Sequence, residues 1–129
     1  MKKNARNFLA YHMRRLVDFS LDRLVRSPRA EKKWRAIYTW REFDPSAQEW
    51  QEHSTTADFG ASGYQDYTLH HNRERRRSYR ARHEHDLDRR RPGKLYWTQP
   101  GVLSWHLLWG NHTSLDNNLK AFRQKIARG

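Results

Sequence analysis

The chain predicts an α+β fold: a small single domain in which a β-hairpin is packed by about four helices, one of them an N-terminal amphipathic helix. Three features carry the prediction. Alternating aromatic and β-branched residues from Trp34 to Phe43 read as a strand, and the Asp44-Pro45-Ser46 turn lets a second strand return. Both ends of the chain carry apolar residues at steps of three and four, the helical spacing. The apolar fraction is only 36%, yet it includes six Trp, six Tyr and five Phe, so a few large rings must carry most of the burial in a thin core.

Residues 4–26 set Leu9, Met13, Leu16, Val17, Leu21 and Leu24 on one helical stripe, and Ser27-Pro28 stops it. Residues 1–28 are accordingly expected to form a docking helix, laid on the domain's own core or on a neighbour, with residues 29–129 as the compact domain. In the first strand Trp34, Ala36, Tyr38 and Trp40 share one face, while Arg35, Ile37, Thr39, Arg41 and Phe43 take the other. Trp50 to Phe59 is the return strand, and because a lone hairpin is marginal, helices must cover its aromatic face. Gly60 and Gly63 supply a turn. Arg73 to His83 follows as an exposed helix capped by Asn72 and anchored by Tyr79, and Asp86 to Lys94 reads as a loop. Pro100 opens a segment that Gly110 closes. The last helix, Thr113 to Arg128, carries Leu115, Leu119, Phe122 and Ile126 on one stripe and is capped by Thr113 or Ser114.

Twenty-six Lys and Arg against fourteen Asp and Glu give a formal net charge of +12, and the isoelectric point is near 10.6. Such a chain calls for an acidic partner: nucleic acid, an anionic membrane surface or an acidic protein face. The absence of cysteine excludes disulfide and thiolate chemistry. No apolar run approaches the roughly 20 residues of a membrane span, and the expectation is a soluble intracellular protein.

No catalytic set is visible, so no enzyme is predicted. His83, His85 and Asp86 could contribute metal ligands, but arginines surround them and would oppose a cation; neither a metal nor a cofactor is expected. A nuclease centre at His70-His71-Asn72 lacks its second half. Ser62 does not sit in a nucleophile turn, and no phosphate-binding glycine loop occurs. In the block Phe59, Gly60, Gly63, Tyr64, Asp66, Tyr67, Thr68 and His70, the structural expectation is that Tyr64 and Tyr67 bury against the hairpin. Asp66 would then hydrogen-bond nearby backbone or pair with an arginine such as Arg75. The functional expectation is backbone amides offered to a phosphate or a partner strand. The strongest functional signal is the set Arg73, Arg76, Arg77, Arg80, Arg89, Arg90, Arg91 and Lys94, suited to phosphate or to the carboxylates of a partner.

Three blocks carry a resemblance. Phe59-Gly60-Ala61-x-Gly63-Tyr64-x-Asp66-Tyr67-Thr68-x-His70, then Arg75, Tyr79 and Arg82-His83, then Gly101-x-Leu103-Ser104 with Leu107-Leu108-Trp109, resemble a small basic family common in giant, nucleocytoplasmic large DNA viruses. The resemblance covers roughly residues 32–126 and implies a viral setting, in the particle or in the host cytoplasm or nucleus during infection. Two positions depart from it: Asn72 stands where an Asp is usual, and the arginine-rich segment from Asp86 replaces a tryptophan. Two functions are expected, the first preferred because aromatic richness, the N-terminal docking helix and Asp and Glu mixed among the arginines suit a defined protein interface. One is a minor capsid or cement component that bridges other viral capsid proteins through its basic face and amphipathic helices. The other is a protein that binds DNA or RNA in genome packaging or organisation.

Overall fold

The computed structural model describes residues 16–129. Three antiparallel strands, β1 (Leu16–Arg26), β2 (Lys32–Asp44) and β3 (Glu49–Ala61), form one sheet in the order β1-β2-β3. The expected hairpin is β2 with β3, and its register pairs Trp34 with Phe59, Ala36 with Ala57, Tyr38 with Thr55 and Trp40 with His53. These pairs put Trp34, Ala36, Tyr38 and Trp40 on one face, as their alternation predicts. The turn is closed by Asp44, whose Oδ1 accepts from the Ser46 backbone N–H and hydroxyl, and by Gln48 at φ 57.

The N-terminal docking helix is corrected over the residues described. Leu16, Val17, Leu21 and Leu24 lie on a strand, not a helical stripe; Leu9 and Met13 lie outside the described residues. With β1 bonded into the sheet, residues 16–26 belong with the strands that follow; residues 1–15 of the expected docking segment lie outside the described residues. The segment also carries a period of two, with Val17, Phe19 and Leu21 inward and Asp18, Ser20 and Asp22 outward. Pairing with the otherwise open edge of β2 decides between the two periods, because a third strand lets the sheet bury Leu21 and Phe19. Phe19 stacks on Tyr38 at 5.3 Å. The pairing needs two register shifts, between Val17 and Ser20 and between Leu21 and Arg23, and Asp18 takes φ 56 at the first.

Past the sheet come α1 (Tyr67–His70) and α2 (Arg73–His83), then two 3₁₀ turns, Glu84–Leu87 and Gly93–Thr98. The segment expected to be a loop is therefore bracketed by tight turns. Next, α3 (Pro100–Leu103) runs on as a π-helical turn, Ser104–Leu108, and α4 (Leu115–Arg128) ends the chain. Pro100 and Asn72 hold the starting and capping positions expected of them, and Ser114 is the cap of α4.

One face of the sheet is covered by α3, the π turn and α4. Leu21, Ala36, Tyr38, Ala57 and Phe59 meet Val102, Leu103, Leu107, Leu108, Phe122 and Ile126 in a single core. Tyr38 donates its hydroxyl to the Trp97 carbonyl at 2.6 Å, and burial pushes its pKa up, so the proton stays in that bond. Arg123 on α4 donates to the carbonyls of Leu21 and Asp22. It thereby takes up acceptors at the second bulge of an edge strand, which would otherwise stay open.

Candidate functional site

Helix α2 positions most of the predicted site, and its sequence explains how. Asn72 Oδ1 accepts from the backbone N–H groups of Glu74 and Arg75, fixing the start of the helix. Tyr79 anchors it: its ring lies flat between Trp109 and His83, each at 4.2 Å between centroids. With Tyr79 turned to the body of the protein, 3.6 residues per turn throw Arg73, Arg76, Arg77 and Arg80 to one flank and Arg75, Ser78 and Arg82 to the other.

The first flank forms a hollow of about 400 Å³ lined by Tyr67, Arg73, Arg76, Arg77, Arg80 and Asn111. No carboxylate lines it. Arg76 donates to the carbonyls of Trp109 and Gly110 and to Asn111 Oδ1, and Arg80 donates to the Trp109 carbonyl. These two guanidinium groups thus close the end of the π turn, where carbonyls lack helical partners. Arg80 lies over the Trp105 ring at 4.4 Å, and Arg76 over Tyr67 at 5.6 Å. Burial, and then the charge of Arg76, lower the pKa of Arg80 from its usual value. An arginine stays protonated all the same, so the hollow keeps a charge that only an anion would relieve. The side chains of Arg73 and Arg77 make no hydrogen bond or ion pair among the described residues.

The second flank of α2 borders a cleft of about 620 Å³. Its other walls are the Gly60 to Asp66 loop and the end of the π turn at Ser104, Leu108 and Trp109. All three sequence blocks that carry the resemblance thus meet around one cleft. Gly60, at φ 82, lies directly on the π turn; a Cβ there would stand 2.8 Å from Leu108 Cδ1. Gly63, at φ 84, faces open space, so its need for glycine is conformational.

Asp66 is buried and caps α1, accepting from the Thr68 backbone N–H and hydroxyl, as expected of a carboxylate bonding local backbone. Its ion-pair partner is Lys33 on β2, at 2.7 Å, and not the expected Arg75. Tyr67 is buried as expected, whereas Tyr64 is 74% exposed at the cleft, a correction to the expectation that both rings bury. Gly63 ends the sheet-side turn and carries Tyr64 away from the hairpin.

The remaining predicted cations do not join this flank of α2. Arg91 donates to the Thr98 carbonyl and hydroxyl, Arg89 to the carbonyls of Arg91 and Gly93 while lying over Tyr96, and Lys94 to the Ile126 carbonyl in the last turn of α4. They brace the connection between α2 and α3. His70 accepts from the Asn72 N–H through Nδ1, which puts a neutral ring's proton on Nε2, a buried atom with no partner among the described residues. His70-His71-Asn72 is thus the corner joining α1 to α2. Asp86 Oδ2 lies 2.9 Å from His83 Nδ1, and its Oδ1 lies 3.3 Å from His85 Nε2. Sequence reasoning missed Lys33, Ser78 and Glu74 as cleft residues; only the helical register of the last two with Arg75 and Arg82 could have pointed to them.

The class defined by this architecture is a small basic α+β protein with two concave surfaces on either flank of one helix. Residues 23–83, from the middle of β1 to the end of α2, match the model of a family of unknown function, DUF5754. No curated protein and no solved structure matches the chain.

Proposed function

We propose that the protein is a non-enzymatic nucleic-acid-binding protein that grips phosphates in the hollow formed by Arg73, Arg76, Arg77 and Arg80. In the viral setting implied by the resemblance, its role is genome packaging or organisation. The observation that carries this reading is a hollow lined by four arginines with no carboxylate in its lining. Two of them are pinned by carbonyls, so little side-chain freedom is lost when phosphate arrives, and each arginine offers five donors of which these contacts use only part. The capsid or cement role, preferred from the sequence, leaned on aromatic richness, an N-terminal docking helix and acids mixed among the arginines. Residues 16–26 are a strand, and Glu74, the single acid of α2, lies outside the hollow.

A second reading, a minor capsid or cement component bridging larger shell proteins, draws on the far end of the hairpin. There Trp50 is 49% exposed and packs edge-on against Phe43, a surface suited to protein contact.

Binding of a labelled oligonucleotide, measured by anisotropy across a salt series, tests the first reading. Affinity should fall steeply with salt, and Arg73→Ala with Arg77→Ala should flatten the slope by about one unit per arginine removed. A slope unchanged by both substitutions, or no binding at low salt, sinks the reading. If polyglutamate of equal charge displaces the oligonucleotide and shell proteins co-purify, the second reading takes its place.

A further inference from the structure

We infer that the cleft on the other flank of α2 seats an unpaired base, so that the preferred nucleic acid is single-stranded; this rests on the phosphate-binding reading above. The two surfaces divide the chemistry of a nucleotide between them. The four-arginine hollow is uniformly cationic, suited to the backbone. The cleft is not: its lining sets Asp66 and Glu74 among Lys33, Arg75 and Arg82, and Lys33 is spent on Asp66. Its lining adds Gln65, Ser78 and Ser104, side chains that donate and accept, on a floor that includes Leu108 and Trp109. An apolar floor with scattered neutral donors and acceptors fits the face and edge of a base better than a bare phosphate.

The stacking platform is Tyr64. Tyr79 has both ring faces covered, by Trp109 and His83. Tyr64 is 74% exposed, makes no ring contact among the described residues, and stands at the cleft on the Gly63 turn. A large aromatic side chain left in water forfeits burial that a base would restore. At about 620 Å³ the space falls in the range of small-ligand pockets. Only the width of one helix, about 10–12 Å with side chains, separates it from the hollow. A strand held at Arg73 and Arg77 can therefore cross α2 and present a base to Tyr64. A duplex keeps its bases stacked and engages the hollow alone.

The test compares one sequence as a labelled single strand and as a duplex, using the full chain. The parent should prefer the single strand. Tyr64→Ala should lower single-strand affinity about five-fold or more while leaving duplex affinity unchanged; Tyr64→Phe, which keeps the ring, should retain it. Ser78→Leu, which narrows the cleft from the α2 side at an exposed helical position, should act as Tyr64→Ala does. Equal affinity for both forms in the parent, or a Tyr64→Ala loss that falls equally on both, overturns the inference while leaving the phosphate reading intact. Binding of neither form at low salt overturns the phosphate reading, and this inference with it.

Discussion

Asp66 satisfies three donors with one buried carboxylate: the Thr68 backbone N–H, the Thr68 hydroxyl and Lys33 Nζ. Removing it uncaps α1 and strands a largely buried ammonium, so Asp66→Ala should destabilise the protein by about 3–5 kcal/mol in urea unfolding. Lys33→Met, which takes the opposing charge away and fills its space, should lower affinity for nucleic acid little. A second residue reports through pH. His106 is packed against Trp97 and Phe122, and burial, then Lys125 and Arg80, push its pKa down to about 4. The unfolded chain therefore binds a proton near pH 6.5 that the folded chain refuses. His106 contributes its stability fully above about 6.5, loses it as pH falls toward 4, and contributes nothing further below. The loss is roughly 3 kcal/mol at most, and His70, whose pKa burial also lowers, acts in the same direction. Urea unfolding between pH 7 and 4 should show a shallower decline in His106→Gln than in the parent; identical slopes would mean the imidazole is not held neutral. The local bonding of Asp66 was legible in the sequence and its pairing with Lys33 was not; the role of His106 was not legible either, because its partners come from three separate segments.

At the scale of elements, the hairpin and the last helix were legible, and β1 was not. The strand Trp34 to Phe43 reads unambiguously because aromatic alternation fits only a period of two, and α4 because Leu115, Leu119, Phe122 and Ile126 fit only a helix. Residues 16–26 satisfy both periods, and their fate is set by β2, which has an edge to fill and an aromatic face to extend. Leu21 is the residue through which β1 joins the core, at 2% exposure, so Leu21→Ala should cost about 2–5 kcal/mol in urea unfolding. A helix lying on the surface would lose far less. The arginine set divides for a related reason. Charge alone does not distinguish a guanidinium facing solvent from one bracing a loop, but spacing does: Arg73, Arg76, Arg77 and Arg80 recur at helical intervals, whereas Arg89, Arg90 and Arg91 are consecutive and bond the turns around them. Gly110 shows the same dependence on neighbours. A Cβ there would collide with the His106 carbonyl and with Asn118, whose buried amide accepts from the His112 N–H and donates to the carbonyls of Leu107 and His112. Gly110→Ala should therefore cost about 1–3 kcal/mol by overpacking, seen as a lowered midpoint of thermal unfolding.

For the whole molecule, a net charge of +12 works against the compact state and in favour of binding, so salt should act on the two in opposite directions. Screening relieves repulsion among the guanidinium groups of α2, so the Tm of the free protein should rise from low to moderate salt, while affinity for nucleic acid falls over the same range. Variants separate the structural arginines from those kept for a partner. Arg80→Ala removes a charged donor from the Trp109 carbonyl and a cation from the Trp105 face, and should cost about 1.5–3 kcal/mol. Arg73→Ala with Arg77→Ala removes no side-chain hydrogen bond, ion pair or ring contact among the described residues and two like charges from one hollow; its Tm at low salt should equal or exceed the parent's, while its affinity drops. Charges that weaken the free fold and strengthen only the complex belong to the partner's site. A double variant as destabilised as Arg80→Ala would mean instead that all four arginines hold the helix in place, and that the hollow is a consequence of packing.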